Sequence, residues 1–177
     1  TVALPNGAQT TREYILHNGA VVVVPILDDG RLVMERQYRY PMGCVMLEFP
    51  AGKIDAGEAA FVCGVRELEE ETGYVAREWA RAGVLHNAIA YSNEVIEIWF
   101  ARGLARGAAK LDDEEFLEIV THSEAEIDAL CASGGITDAK TLTDVFVSFD
   151  RAYPVAVGHQ VAQAVADGSP TVDLDVK

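Results

Sequence analysis

The sequence predicts an α/β protein, a mixed β-sheet sandwiched between helices in an α/β/α arrangement, with residues 1–177 forming one domain. Three observations carry this. Short β-branched and apolar runs separated by turn residues fill the first two-thirds, one amphipathic helix interrupts them, and helical segments follow. Half of the residues are hydrophobic, enough to bury a core and too many for a disordered segment.

In chain order, residues 1–18 form an N-terminal strand segment whose strand is Glu13 to Leu16. Ala20 to Leu27 is the next strand. Asp28-Asp29-Gly30 then turns the chain, and Arg31 to Tyr38 returns as the second arm of a hairpin. Val45 to Phe49 is a short strand ended by Pro50, and Ala51 to Gly57 is a loop holding two glycines. A helix covers about Ala59 to Thr72, with Gly73 as its C-terminal stop. Val84 to Ile89 and Val95 to Ala101 read as further strands. Ser123 caps a helix running to about Ala132, and a last helix covers Asp138 to Asp150, with an extension past Pro154 left open. Residues 168–177 are polar and read as a flexible tail.

The formal charge is −14, from 28 acidic and 14 basic residues. Binding a long nucleic acid needs a basic patch, and none is visible, so nucleic acid is excluded as a partner. A small anionic substrate remains open if metal ions and a few arginines supply positive charge locally. The longest apolar run, Ala20 to Leu27, has Pro25 inside it and is too short for a bilayer, and the chain starts with no signal-peptide pattern. Cys44, Cys63 and Cys131 lie far apart, fit neither a disulfide framework nor a zinc site, and suit a reducing compartment. The expectation is a cytoplasmic protein with no membrane contact.

The chemistry concentrates in the helix after the glycine loop. At about 100° per residue, Glu67, Glu70 and Glu71 fall within an arc of roughly 100° on one face. Phe61, Val65 and Leu68 take the opposite side, which is expected to pack on the core. Ala60, Cys63 and Gly64 share the glutamate face and are expected to leave room beside it. A merely solvated acidic face fits poorly. Like charges three and four residues apart cost about 0.2–0.5 kcal/mol per pair, and the macrodipole late in a helix adds to that. Arg66 is the only cation between Glu58 and Gly73. A divalent cation would relieve the cluster, and oxygen-only ligands select Mg²⁺, Mn²⁺ or Ca²⁺ over zinc.

The stretch from Gly52 through Glu58 to Arg66-Glu67-Leu68-Glu69-Glu70-Glu71-Thr72-Gly73-Tyr74 resembles the Nudix box at every fixed position. The box covers 23 of the 177 residues, and the surrounding layout of a sheet flanked by helices agrees. The resemblance implies hydrolysis of a pyrophosphate bond with Mg²⁺ as cofactor and Mn²⁺ as a possible substitute. It implies Glu67 and Glu71 as principal metal ligands, Glu70 beside them as ligand or water contact, and the Ala51 carbonyl as a further ligand. Arg66 and Glu58 would orient the glutamates, and Gly52 and Gly57 would let the loop turn tightly.

Arg36-Gln37-Tyr38-Arg39 followed by Leu47-Glu48-Phe49-Pro50-Ala51-Gly52 resembles the branch that cleaves ADP-ribose and nucleoside-diphosphate sugars. By that resemblance Arg39 contacts the substrate phosphates, Arg36 is a second candidate, and Glu94 ends a loop near the substrate. Lys110 to Glu118 is similar to the acidic loop that carries the general base, with Glu115 the first choice and Asp113 and Glu114 behind it. Ala90 stands where the ADP-ribose branch usually has proline, so the base and sugar stay open, GDP-mannose among them. His86 reads as structural rather than as a substrate contact. The implied partners are a small nucleotide-sugar substrate and a second copy in a homodimer, with residues 1–18 reaching the partner's pocket. Two rivals stay open: a hydrolase of oxidised nucleoside triphosphates, and a non-catalytic sensor of nucleotide sugars. The full set of box glutamates and the lack of a basic DNA-binding segment count against the sensor.

Overall fold

The computed structural model describes residues 1–107 and 116–149, together with a strand at 172–173. A ribbon of β1 (Val2–Ala3) and β2 (Gln9–Thr10) opens the chain. β3 (Ala20–Pro25), β4 (Leu32–Arg39), a 3-10 turn at Tyr40–Met42, β5 (Cys44–Glu48) and β6 (Ala51–Lys53) lead into helix α1 (Ala60–Thr72). Then come β7 (Tyr74–Val75), β8 (Glu78–His86), β9 (Val95–Arg102), β10 (Ala105–Arg106) and β11 (Leu117–His122). Helices α2 (Glu124–Ser133) and α3 (Ala139–Phe149) follow, with β12 at Val172–Asp173.

A mixed five-stranded sheet runs in the order β12-β8-β9-β3-β6, and an antiparallel three-stranded sheet in the order β11-β4-β5. β3 is the axis of the fold. All six of its residues are buried, and it pairs in parallel with β9 and antiparallel with β6. Its side chains alternate between two cores, as the two-residue period of a strand requires. Val22 and Val24 join Met34, Leu47, Phe49, Ile98 and Phe100, with Ile127 of α2 and Val145 of α3 on the outside. Val21 and Val23 face α1 through Leu68, beside Trp79 and Trp99. Helices therefore cover both sides, as expected. No helix among the described residues is long and apolar enough to cross a membrane.

Five local expectations need correcting. Ala51 to Gly57, expected as a loop, is a strand over its first three residues, β6, because they pair with the edge of β3 opposite β9. The turn at Asp28-Asp29-Gly30 forms, with the Gly30 N–H donating to the Leu27 carbonyl at 2.9 Å. Its flanking strands, however, share only the Ile26–Leu32 bridge before entering different sheets. A strand buried on both faces needs partners along both edges, and β9 and β6 supply them. Glu13 to Leu16 makes one bridge, Ile15 to Ser92, instead of a strand, and Tyr14, Ile15 and Leu16 stay largely exposed. The strand expected at Val84 to Ile89 spans Glu78–His86, and Ile89 is exposed beyond its end. Leu117 and Glu118, read as the end of an acidic loop, are paired with Gln37 and Arg36 in β11. The α2 cap is as expected: Ser123 and Glu126 form a reciprocal capping box.

Candidate active site

Helix α1 packs on the core through only part of the face that its hydrophobic pattern suggests, with Leu68 buried and Phe61 packed at the edge. Cys63, Gly64, Leu68, Glu71 and Thr72 are buried, whereas Val65 is 37% exposed. Gly64 decides this. A Cβ there would stand 3.1 Å from Val21 Cγ1, so the missing side chain brings the helix close against β3. Cys63 and Gly64 thus form the contact surface and do not leave room for ligand. Phe61 stays at the edge, its ring 5.5 Å from that of Trp79 and 5.2 Å from that of Trp99.

That seating pulls the glutamates against the loop before the helix. Glu71 is only 4% exposed and accepts the Ala51 N–H at 2.9 Å. The Glu67 carboxylate lies over Gly52 so tightly that an alanine Cβ would sit 1.8 Å from its Cδ. The atom displaced is the far end of a flexible side chain, so Gly52→Ala should cost little stability while moving the Glu67 carboxylate, the ligand expected from the sequence. We expect metal affinity to fall about 10- to 100-fold, the range seen when a ligand's support is removed, with the melting temperature nearly unchanged. Calorimetric Mg²⁺ titration and a thermal melt check the two halves separately, and loss of the fold would count against it.

Arg66 organises the rest. Its Nε and Nη2 donate to Glu58 at 3.0 and 3.1 Å, and its Nη1 donates to Glu67 at 2.8 Å and Glu70 at 3.0 Å. Nη2 also reaches the Lys53 carbonyl at 3.3 Å. One guanidinium therefore braces three carboxylates and ties the helix to the loop. The N-cap Ala59 has no capping side chain, and the Glu58–Arg66 pair clamps the first turn of the helix instead. The Arg66 hydrogen bonds, with the Asp55 N–H, hold the Glu58 carboxyl down to about 2. Burial, with Glu58 and Glu67 nearby, pushes the Cys63 thiol up to about 12, so it is an inert packing group at neutral pH.

A divalent cation fits this donor set. The groups are all oxygen, the cluster carries more negative charge than Arg66 offsets, and the late-helix position adds the carbonyl end of the dipole. Among the described residues no three acidic, thiol or imidazole side chains already converge on one point. Arg66 shares out Glu67 and Glu70, so the holders would be Glu67 and Glu71 with the Ala51 carbonyl, Glu70 beside them.

Strand β6, at Ala51–Lys53, forms one wall of a cleft of about 520 Å³. Arg39, Glu48, Ala51, Gly52, Asn87, Glu94 and Lys140 line it. Arg39 donates through Nε and Nη2 to both Glu48 oxygens, at 2.7 and 2.8 Å. Those hydrogen bonds hold the guanidinium above its ordinary value against the opposing effect of burial. Glu94 accepts the Asn87 amide at 3.3 Å and lies 3.6 Å from His17 Nε2. Arg36 is three residues from Arg39 on β4 and so points the other way; it pairs with Glu118 at 3.3 Å and does not line the cleft. His86 is exposed and its neighbour Asn87 faces the cleft instead. Glu115, with Asp113 and Glu114, lies outside the described residues.

Sequence reasoning missed Glu48, Asp138 and Lys140 as members of this site. Glu48 carried a signal, a carboxylate inside the apolar run from Val45 to Phe49 that burial would oblige to find a cation. Lys140 carried none.

Comparison with known proteins agrees with this geometry. A family model described as NUDIX domain matches residues 16–145. The ADP-ribose pyrophosphatase of Bacillus subtilis (strain 168) is 34% identical over 142 residues, 79% of this chain and 77% of that protein. The methanol dehydrogenase activator of Bacillus methanolicus is 36% identical over 146 residues, 81% of this chain and 79% of that protein. A crystal structure of an ADP compounds hydrolase superposes with a TM-score of 0.73 at 28% identity, covering 81% of this chain and 78% of that one. A match running from before β3 into α3, with the whole loop and box helix inside it, makes this chain a member of the NUDIX domain family.

Proposed function

We infer that this Nudix hydrolase cuts the pyrophosphate linkage of a nucleoside diphosphate joined to a sugar, with ADP-ribose the first candidate, giving a nucleoside monophosphate and a sugar phosphate. The observation that carries the reading is that Arg39 and the Ala51–Gly52 edge of the carboxylate cluster line one cleft. A pyrophosphate there would meet the Arg39 guanidinium and the Ala51–Gly52 strand against whose other side Glu67 and Glu71 pack.

Mg²⁺, or Mn²⁺ in its place, would be held by Glu67, Glu71 and the Ala51 carbonyl and would supply charge neutralisation and Lewis acidity. Arg39 holds the phosphates in line for attack and offsets their charge. Arg66 keeps the box glutamates in register, Glu70 stands within their shell, and Glu94 orients the substrate from the opposite rim. Glu115 is the preferred general base, with Asp113 and Glu114 as alternatives. The relatives named ADP-ribose pyrophosphatase and ADP compounds hydrolase support the substrate class. We also propose a homodimer, supported by the exposed apolar Tyr14, Ile15 and Leu16 near the N-terminus, and a cytoplasmic setting, supported by free thiols at Cys44, Cys63 and Cys131. Light scattering on the purified protein tests the first, and a monomer mass would remove it; fractionation of cells tests the second.

The test of function is product release from ADP-ribose, ADP-glucose, GDP-mannose, UDP-glucose and 8-oxo-dGTP, with Mg²⁺ and with EDTA. Metal-dependent turnover of a nucleotide sugar is the expected result. Turnover of the oxidised triphosphate alone would overturn the substrate class, and tight binding without turnover would point to a sensor.

A further inference from the structure

The cleft wall opposite the box is built from charges that sequence distance hides. Glu48 is 2% exposed and bonded along its whole carboxylate to Arg39. The same Oε2 that accepts from Arg39 Nη2 also accepts from Lys140 Nζ. Lys140 is held in turn by Asp138 Oδ2 at 2.8 Å. That oxygen also takes the Thr141 N–H at 3.0 Å and the Thr141 hydroxyl at 2.7 Å, which fixes the first turn of α3. A continuous line therefore runs from the start of α3 through Asp138, Lys140 and Glu48 to Arg39.

The charges explain why the line is needed. Arg39 commits two nitrogens to Glu48, and Glu35 and Glu71 lie close enough to act on its charge as well. With Lys140 present, Glu48 is shared between two cations and Asp138 balances the lysine, so the line is neutral in sum; without the lysine the same groups would carry a net negative charge beside the cleft. Lys140 itself is 12% exposed, so its attraction for Glu48 is little screened by solvent. Burial alone would push its ammonium down, but the Glu48 and Asp138 charges outweigh that and hold it above its ordinary value.

We propose that Lys140 is a positioning residue for substrate binding, compensating Glu48 so that Arg39 stays oriented toward the pyrophosphate and the line beside it carries no net negative charge. The proposal rests on the reading that this cleft binds a nucleotide sugar. Because Arg39 meets phosphate charge in the ground state and the transition state alike, loss of Lys140 should act on KM more than on kcat.

The experiment measures kcat and KM for ADP-ribose with Mg²⁺ on wild type, Lys140→Met, Glu48→Gln and the double variant. Lys140→Met is expected to raise KM about tenfold or more with kcat within about twofold. In the Glu48→Gln background the same lysine deletion should cost less than about twofold in KM, since the carboxylate that links Lys140 to Arg39 no longer carries charge, while Asp138 stays bonded to Thr141. A lysine that only supports the helix would not show that rescue. An unchanged KM in Lys140→Met, or a fall confined to kcat, overturns the proposal. If Lys140→Met melts below the assay temperature, the comparison of Glu48→Gln with the double variant decides alone, and a tenfold cost there overturns it. Absence of wild-type turnover on any nucleotide sugar would instead fail the functional reading.

Discussion

Glu71→Gln is expected to lower kcat/KM by at least about 10²-fold, beyond the 10- to 100-fold typical of losing a residue that only supports a ligand. Glutamine keeps an oxygen for the Ala51 N–H, so the loop contact at 2.9 Å can survive while the charge is lost. The fold should be kept. In the absence of metal the variant should be no less stable than wild type, because one like-charge contact with Glu67 and an unfavourable charge at the helix C-terminus both disappear. With metal the order reverses. A protein that binds a cation only when folded gains about 2.7 kcal/mol at a concentration of 100 Kd. Wild type should show that rise in melting temperature with Mg²⁺, and Glu71→Gln should show little of it. Full activity, or an equal Mg²⁺-induced shift in the variant, would remove Glu71 from the ligand set.

The largest stability effect is expected at Phe49. Its side chain is fully buried in the core that joins β3, β4, β9 and α2. Phe49→Ala should cost about 3–5 kcal/mol, from lost burial plus the cavity left behind. Against a total of about 5–15 kcal/mol for a domain, that is a large share. At about 2–4 °C per kcal/mol for this chain length, the melting temperature should fall by about 6–20 °C. Phe49 also stands between Glu48 and the Pro50–Ala51 edge of the cleft, so activity should fall below the temperature of unfolding. Circular dichroism melts and assays at low temperature separate the two effects. A shift under about 2 °C would mean that the core closes over the gap.

Much of the site was legible because it is local. The box helix starts at Ala60, one residue from the expected Ala59, and ends at Thr72 with Gly73 in the left-handed conformation. The spacing of Glu67, Glu70 and Glu71 needed only the helical period. What misled was also physical. Of Phe61, Val65 and Leu68, Leu68 is buried as expected and Phe61 packs at the edge, but Val65 is exposed, because close approach at Gly64 turns the helix toward its small residues. β11 had a signal in Ile119, Val120 and Thr121 that the acidic run before it obscured. The β3–β4 hairpin failed because pairing along both edges of β3 decides its partners, and no short window shows that. The Glu48–Lys140 contact joins residues 92 apart in sequence, and a pairing of that range leaves no periodic trace.

The central strand has one more consequence. Val21, Val22, Val23 and Val24 present the same side chain to both cores. A slip of one residue would exchange the two faces of the strand without exposing a polar group, so the valines carry almost no information about their own alignment. That information must come from the ends. Gly19, at φ +103°, sits where a Cβ would press to 3.3 Å on Ile54 Cδ1 and on the Val95 carbonyl, and Pro25 has no N–H to continue the ladder. Since β6 aligns Gly52 with Val21 and Ala51 with Val22, these two end positions also fix the height of β6 along the sheet. The placing of Ala51 and Gly52 beside the box helix is thus indexed by a glycine and a proline at the two ends of β3.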